Sequence, residues 1–366
     1  TGAVDNLYGK MYNAIANVNN ILDHIHADNG VLLTPGMYEI IRGECLALRA
    51  FLHFDLMRLF GPVPADLEAG GARLPYVRVV SKEIKLPVSY DEYKDFLLKD
   101  LRDAAALLKE YDPIVVEGWV TDEFLVRRTC RMNYYAVKAL QARAFLWYGE
   151  KENAYAAAME VIEAKNSDGS KKFDIEAIKT AFPGQDFIIY PEQIFGLYDH
   201  QLDDKYSSFF QTGILYKGTS SQEIMKNLYG NTGKDFREQY LWELQRLVDG
   251  DRYTIKKYNV TLGVKQIPLI RLSELYFIAI ESGSAEQAQK LWDEYRDSRV
   301  LDRKDLPTDP KQLQQEILTE FRKEFYAEGQ LFYLYKRYNS PREDILFANS
   351  RLVVNYILPL PKTELK

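Results

Sequence analysis

Between two breakers, Pro35-Gly36 and Gly61-Pro62, runs a segment that cannot lie at a surface. Residues 37–60 read as one helix with Ile40, Ile41, Leu48, Phe51, Leu52, Phe54, Leu56 and Leu59 spread over more than one of its sides. A helix apolar nearly all round has to be packed on several faces. The chain must therefore supply other helices to enclose it.

The sequence offers them at both ends. Tyr12, Ile15, Asn19 and Leu22 follow one face of a helix over about 5–27. Tyr93, Phe96, Leu97, Leu101, Ala104 and Leu108 do the same over 90–110. Alanine-rich helices are expected at 131–149 and 151–165, where small side chains permit close helix-on-helix contact. Further helices are expected at 272–282, 285–299 and 310–338, with Glu328-Gly329 marking a bend in the last. Pairs 5–27 with 37–60 and 272–282 with 285–299 have the length of tetratricopeptide-like units. Such pairs bury their apolar faces by stacking. The expected fold class is mainly α: helix pairs in an α/α superhelix, with a loop-rich insertion containing short strands.

That insertion is about 166–266. Residues 166–270 hold nine of the 21 glycines of the chain, and helical periodicity breaks down there. Phe187–Tyr190 and Gln193–Leu197 are strand-like, and one helix is expected over 235–248. We treat 1–366 as a single domain, with a helical scaffold at 1–165 and 267–366 and the variable region between.

Composition excludes some functions. A net charge of -6 argues against a nucleic-acid binder, which needs a basic face to displace phosphate counterions. No apolar run approaches the ~20 residues of a membrane span. Cys45 and Cys130 are too few for a disulfide framework or a zinc site, and both are read as buried free thiols. No Gly-x-Ser-x-Gly elbow, zinc-binding His helix or phosphate-cradling Gly loop is present. His24 and His26 stand two residues apart and so face different sides of a helix. Asp203-Asp204 could be half of a glycosidase pair, but solvated surface is the better reading. No metal or cofactor is expected.

Five segments resemble the SusD/RagB family, in the order of that family. They are YNAIANVNNIL at 12–22, RGECLALRAFLHFDLMRLFGPVP at 42–64, IPLIRLSELYFIAIES at 267–282, FRKEFYAEGQLFYLYKR at 321–337 and LPLPKTEL at 358–365. Within them Glu44, Arg49 and Glu328 read as scaffold. Charges in apolar helices need partners.

The resemblance implies a lipoprotein on the extracellular face of a bacterial outer membrane. It would be held there by an N-terminal lipid anchor upstream of this chain. Its partner would be a TonB-dependent SusC-like transporter, and its ligand an oligosaccharide, or in some members a peptide. It would bind and deliver, not catalyse. Sugar recognition needs flat aromatic faces beside a few polar groups. The candidates in the variable region are Tyr206, Phe209, Phe210, Tyr216, Tyr229, Trp242 and Tyr253. Trp119 joins them from a polar loop. Tyr8, where the family often has Trp, lies near a site used by relatives.

Overall fold

The computed structural model describes residues 2–27, 31–32, 34–69, 73–118, 122–212, 215, 222–248, 250–260 and 264–365. The chain forms two compact units, one of Thr1–Glu150 with Phe332–Lys366 and the other of Lys151–Leu331.

In the first unit, α1 (Gly2–His24), α2 (Met37–Phe60), α3 (Tyr90–Tyr111), the single turn α4 (Pro113–Val116) and α5 (Tyr134–Trp147) follow in order. Every residue of α2 is buried or half-buried, as its all-round apolar pattern demands. It packs against α1, α3 and α5. Gly43 lets α3 come close, since a Cβ there would stand 2.8 Å from Leu108 Cγ. Ser89 and Glu92 cap α3 reciprocally, satisfying backbone donors that the helix start leaves open.

The charges buried in α2 are paired. Glu44 accepts from Arg128 and Arg131. Arg49 donates twice to Asp100, at 2.7 Å each. Burial holds the His53 imidazole down to about 3, against the Val77 backbone contact, so this ring is a neutral core element. The last helix, α13 (Leu331–Tyr338), brings Tyr333 under the Arg58 guanidinium at 3.7 Å and Lys336 Nζ onto the Gly61 carbonyl at 2.7 Å.

In the second unit, α6 (Lys151–Ile162) and the single turn α7 (Ile178–Ala181) precede β1 (Gln193–Tyr198). Then come α8 (Leu202–Tyr206), α9 (Phe236–Tyr240), β2 (Trp242–Leu247), β3 (Gly250–Ile255) and β4 (Gln266–Arg271). Three helices complete it: α10 (Leu272–Ser282), α11 (Ala285–Ser298) and α12 (Pro310–Glu324). The α10 helix packs on α6, α11 and α12. Ser284 and Gln287 form the capping box that starts α11. β1 pairs antiparallel with β4, and β2 with β3.

The expected helix pairs are present, and the fold is mainly helical with few short strands. Three local expectations are corrected. Residues 235–248 are not one helix: α9 gives way at once to β2, whose Trp242 lies opposite Ile255. Phe187–Tyr190 is not a strand. The 310–338 helix is interrupted between Glu324 and Leu331, where Ala327 and Gly329 take positive φ of 65° and 73°. Gly329 adopts that conformation without strain, which is why the chain turns there.

Candidate functional site

The variable region of the second unit rests on a buried charged core. Arg237, Arg271, Arg299 and Lys257 meet Asp235, Glu192, Glu320, Glu324 and Glu328, all of them buried or nearly so. Glu324 accepts from Arg271 at 2.9 Å, Arg299 at 2.7 Å and Arg237 at 3.1 Å. Against burial, these three guanidiniums hold its carboxyl well below the usual range. Glu320 is likewise opposed by burial, yet Arg237 and Lys323 draw it down to about 2. Arg237 also reaches the Tyr295 hydroxyl at 2.7 Å. Charges so fully satisfied fix the position of the elements that carry them. This core ties β4, α9 and the turn after α12 together, so the loops leave from a rigid base.

Above this base α8 and the π-helical turn Ser207–Gln211 close on a small apolar cluster. Leu202, Tyr206, Tyr258 and Val260 are buried in it, with Phe210, Ile267 and Ala327 packed against them. The rings of Phe210 and Tyr258 stand 5.5 Å apart. Next to Phe210 in sequence, Phe209 is 52% exposed. At the end of β1, beside Ile267 of β4, Leu197 and Tyr198 are 50% and 53% exposed. Leu215, whose N–H donates to the Phe209 carbonyl at 3.0 Å, is exposed too. Lys265 and Asp203 form an ion pair near Tyr198 at 2.6 Å. These exposed apolar and aromatic side chains, with polar groups beside them, are of the kinds that a sugar ring packs on.

The sequence-predicted aromatics fall into three groups. Phe209 is exposed, and Phe210 and Tyr253 are half-buried. Tyr8, Tyr206, Tyr229 and Trp242 are buried, and their rings pack internally. Trp242 donates its indole N–H to the Tyr229 hydroxyl at 3.0 Å and meets Tyr326 edge-on. Tyr8, on α1 of the other unit, packs edge-on against Phe60. Trp119 and Tyr216 lie outside the described residues. Sequence reading missed Leu197 and Tyr198. Their signal was the strand-like run at 193–197 ending in a loop.

Two clefts are lined by other residues. One of about 600 Å³ in the second unit is lined by α6, α10 and α11, with Tyr155 and Tyr276 among its walls. Another of about 410 Å³ in the first unit lies between α2 and α3. Among the described residues no group of His, Cys, Asp or Glu could hold a metal ion. No described helix is long and apolar enough to cross a membrane.

Two family models match the chain. A SusD-like model described as "Starch-binding associating with outer membrane" matches residues 2–116, and the SusD family model matches residues 134–364. Among solved structures, the chain is similar to a SusD superfamily protein from Bacteroides thetaiotaomicron VPI-5482, at 22% identity and a TM-score of 0.68. The match covers 90% of this chain and 74% of that one. A laminarin binding SusD-like protein matches at 17% identity and a TM-score of 0.69, covering 99% of this chain and 84% of that chain. A SusD-like carbohydrate binding protein from Bacteroides vulgatus ATCC 8482 matches at 19% and 0.68, covering 91% and 69% respectively. At these identities the likeness is one of fold. No curated protein matches the chain.

Proposed function

The chain belongs to the SusD family, and from that premise we propose that it is a glycan-capturing protein of the bacterial outer membrane. It binds an oligosaccharide at the extracellular face and delivers it to a TonB-dependent SusC-like transporter, with no chemistry on the sugar. The observation that carries the reading is the exposure of two aromatic side chains, Tyr198 and Phe209, on elements that leave a buried charged core. Sugar C–H faces stack on aromatic rings that are open to solvent. The starch-binding description of the matched family model and the ligands named for the laminarin binding and carbohydrate binding neighbours support the ligand class.

In this reading Tyr198 and Phe209 each offer a ring to the sugar, with Leu215 beside Phe209 and with Phe210 and Tyr253 at the edge. Tyr206, Tyr229 and Trp242 support the surface from beneath. Tyr8 is assigned to the core of the other unit. The test is a calorimetric screen of plant, microbial and host oligosaccharides, with a mixed peptide pool beside them. Saturable binding of a glycan class supports the proposal. Saturation by peptides alone would move the ligand to another class and contradict it.

A further inference from the structure

We propose that the cleft between α2 and α3 is a second ligand site, which takes the carboxylate of an acidic sugar. Arg42, Leu46 and Arg49 recur at helical spacing along one face of α2. Phe96, Lys99, Asp100, Asp103 and Leu107 do so along α3. These two faces and Arg78 enclose the cleft of about 410 Å³, a size that suits one saccharide unit.

Its charges are unequally used. Arg49 forms the floor and is spent: it grips Asp100 in a bidentate pair and also donates to Asn19 Oδ1 at 2.9 Å and the Arg78 carbonyl at 3.1 Å. Asp100 accepts in addition from the Tyr76 hydroxyl at 2.7 Å. Lys99 pairs with Asp103. Two guanidiniums are left over. That of Arg42 is half-buried and has no hydrogen bond or ion pair among the described residues. That of Arg78 lies over the Phe96 ring at 4.1 Å, which leaves its N–H edges open.

Two guanidiniums thus line one cleft with no carboxylate paired to them among the described residues, so an anion that enters it has two cationic forks to bind. Their planar forks match the two oxygens of a carboxylate. Ala106 and Leu107 supply the apolar wall against which the C–H face of a pyranose packs, a feature that a bare phosphate would not use. The site shares no residue with the Tyr198 and Phe209 reading, and it rests on the glycan reading only for the ligand being a saccharide.

The test is titration of the whole chain with trigalacturonate, its methyl ester and a neutral glucan oligosaccharide, repeated with the Arg42→Gln/Arg78→Gln double variant. Vesicles containing phosphatidylglycerol form a further arm, since a lipid phosphate would meet the same guanidiniums. The expected result is binding of trigalacturonate about tenfold or more tighter than its ester, weakening with added salt. The double variant should lose that preference while keeping its unfolding temperature. Equal affinity for acid and ester, a preference that survives the double variant, or arginine-dependent binding confined to the vesicles overturns the assignment. Neutral-glucan binding without an acid preference defeats this site alone. An arginine-dependent acid preference in a chain whose Tyr198→Ala/Phe209→Ala variant binds every oligosaccharide unchanged supports this site and defeats the Tyr198 and Phe209 reading.

Discussion

Arg271 and Glu328 face each other in the interior as a forked pair, Nε to Oε2 at 3.0 Å and Nη2 to Oε1 at 2.9 Å. One closes β4 and the other occupies the turn after α12, so a pair 57 residues apart in sequence joins the sheet to the helical layer. Lys257 also donates to Glu328, and to the Glu324 carbonyl at 2.9 Å.

Glu328→Ala should therefore leave two buried cations short of a partner. Breaking a buried pair from one side costs about 3–5 kcal/mol. Urea unfolding should show a loss of that order. Replacing both residues, as Arg271→Met/Glu328→Leu, should cost less than the sum of the single changes.

Acid should weaken the second unit through Glu320. Its carboxyl lies at about 2 in the folded chain, below the usual 4.5. A depressed carboxyl contributes stability that is fully present above the unfolded value and is lost as pH falls toward the folded one. The unfolding temperature should fall between pH 4.5 and pH 2, and Glu320→Gln should make that fall shallower.

Lys336 should act in the same direction at higher pH. Burial, with Arg58 nearby, brings its ammonium from 10.5 down to about 7. Between those values the unfolded chain binds the extra proton, so stability rises with pH across that window. Thermal unfolding from pH 7 to pH 9.5 should show the rise, and Lys336→Met should remove it. An unchanged slope in the variant would assign the effect elsewhere.

The helical frame was legible in the sequence because apolar spacing states which faces are buried. The all-round pattern of residues 37–60 and the Gly329 bend both carried through. What was not legible depends on partners far along the chain. Trp242 reads as helical until Ile255 is placed opposite it. Glu44 and Arg49 announced that they need partners, but not that these are Arg128 and Asp100. Aromatic exposure was the least legible. Phe209 and Phe210 are adjacent and alike, and the packing of Phe210 on Tyr206 and Tyr258 separates their environments.

That separation can be measured. Tyr206→Ala and Trp242→Ala should each cost about 3–5 kcal/mol of stability, because they empty the core. Phe209→Ala should shift stability by no more than about 0.5 kcal/mol. Unfolding curves on the three variants check the order. A large loss for Phe209→Ala would place its ring in the core.

The most direct test of the account is the glycan affinity of the Tyr198→Ala/Phe209→Ala double variant beside that of the natural chain. Each ring contact contributes about 0.5–1.5 kcal/mol, so affinity should fall roughly tenfold while the unfolding temperature stays unchanged. A natural chain that binds no glycan saturably, or a double variant that binds as well as the natural chain, would contradict it.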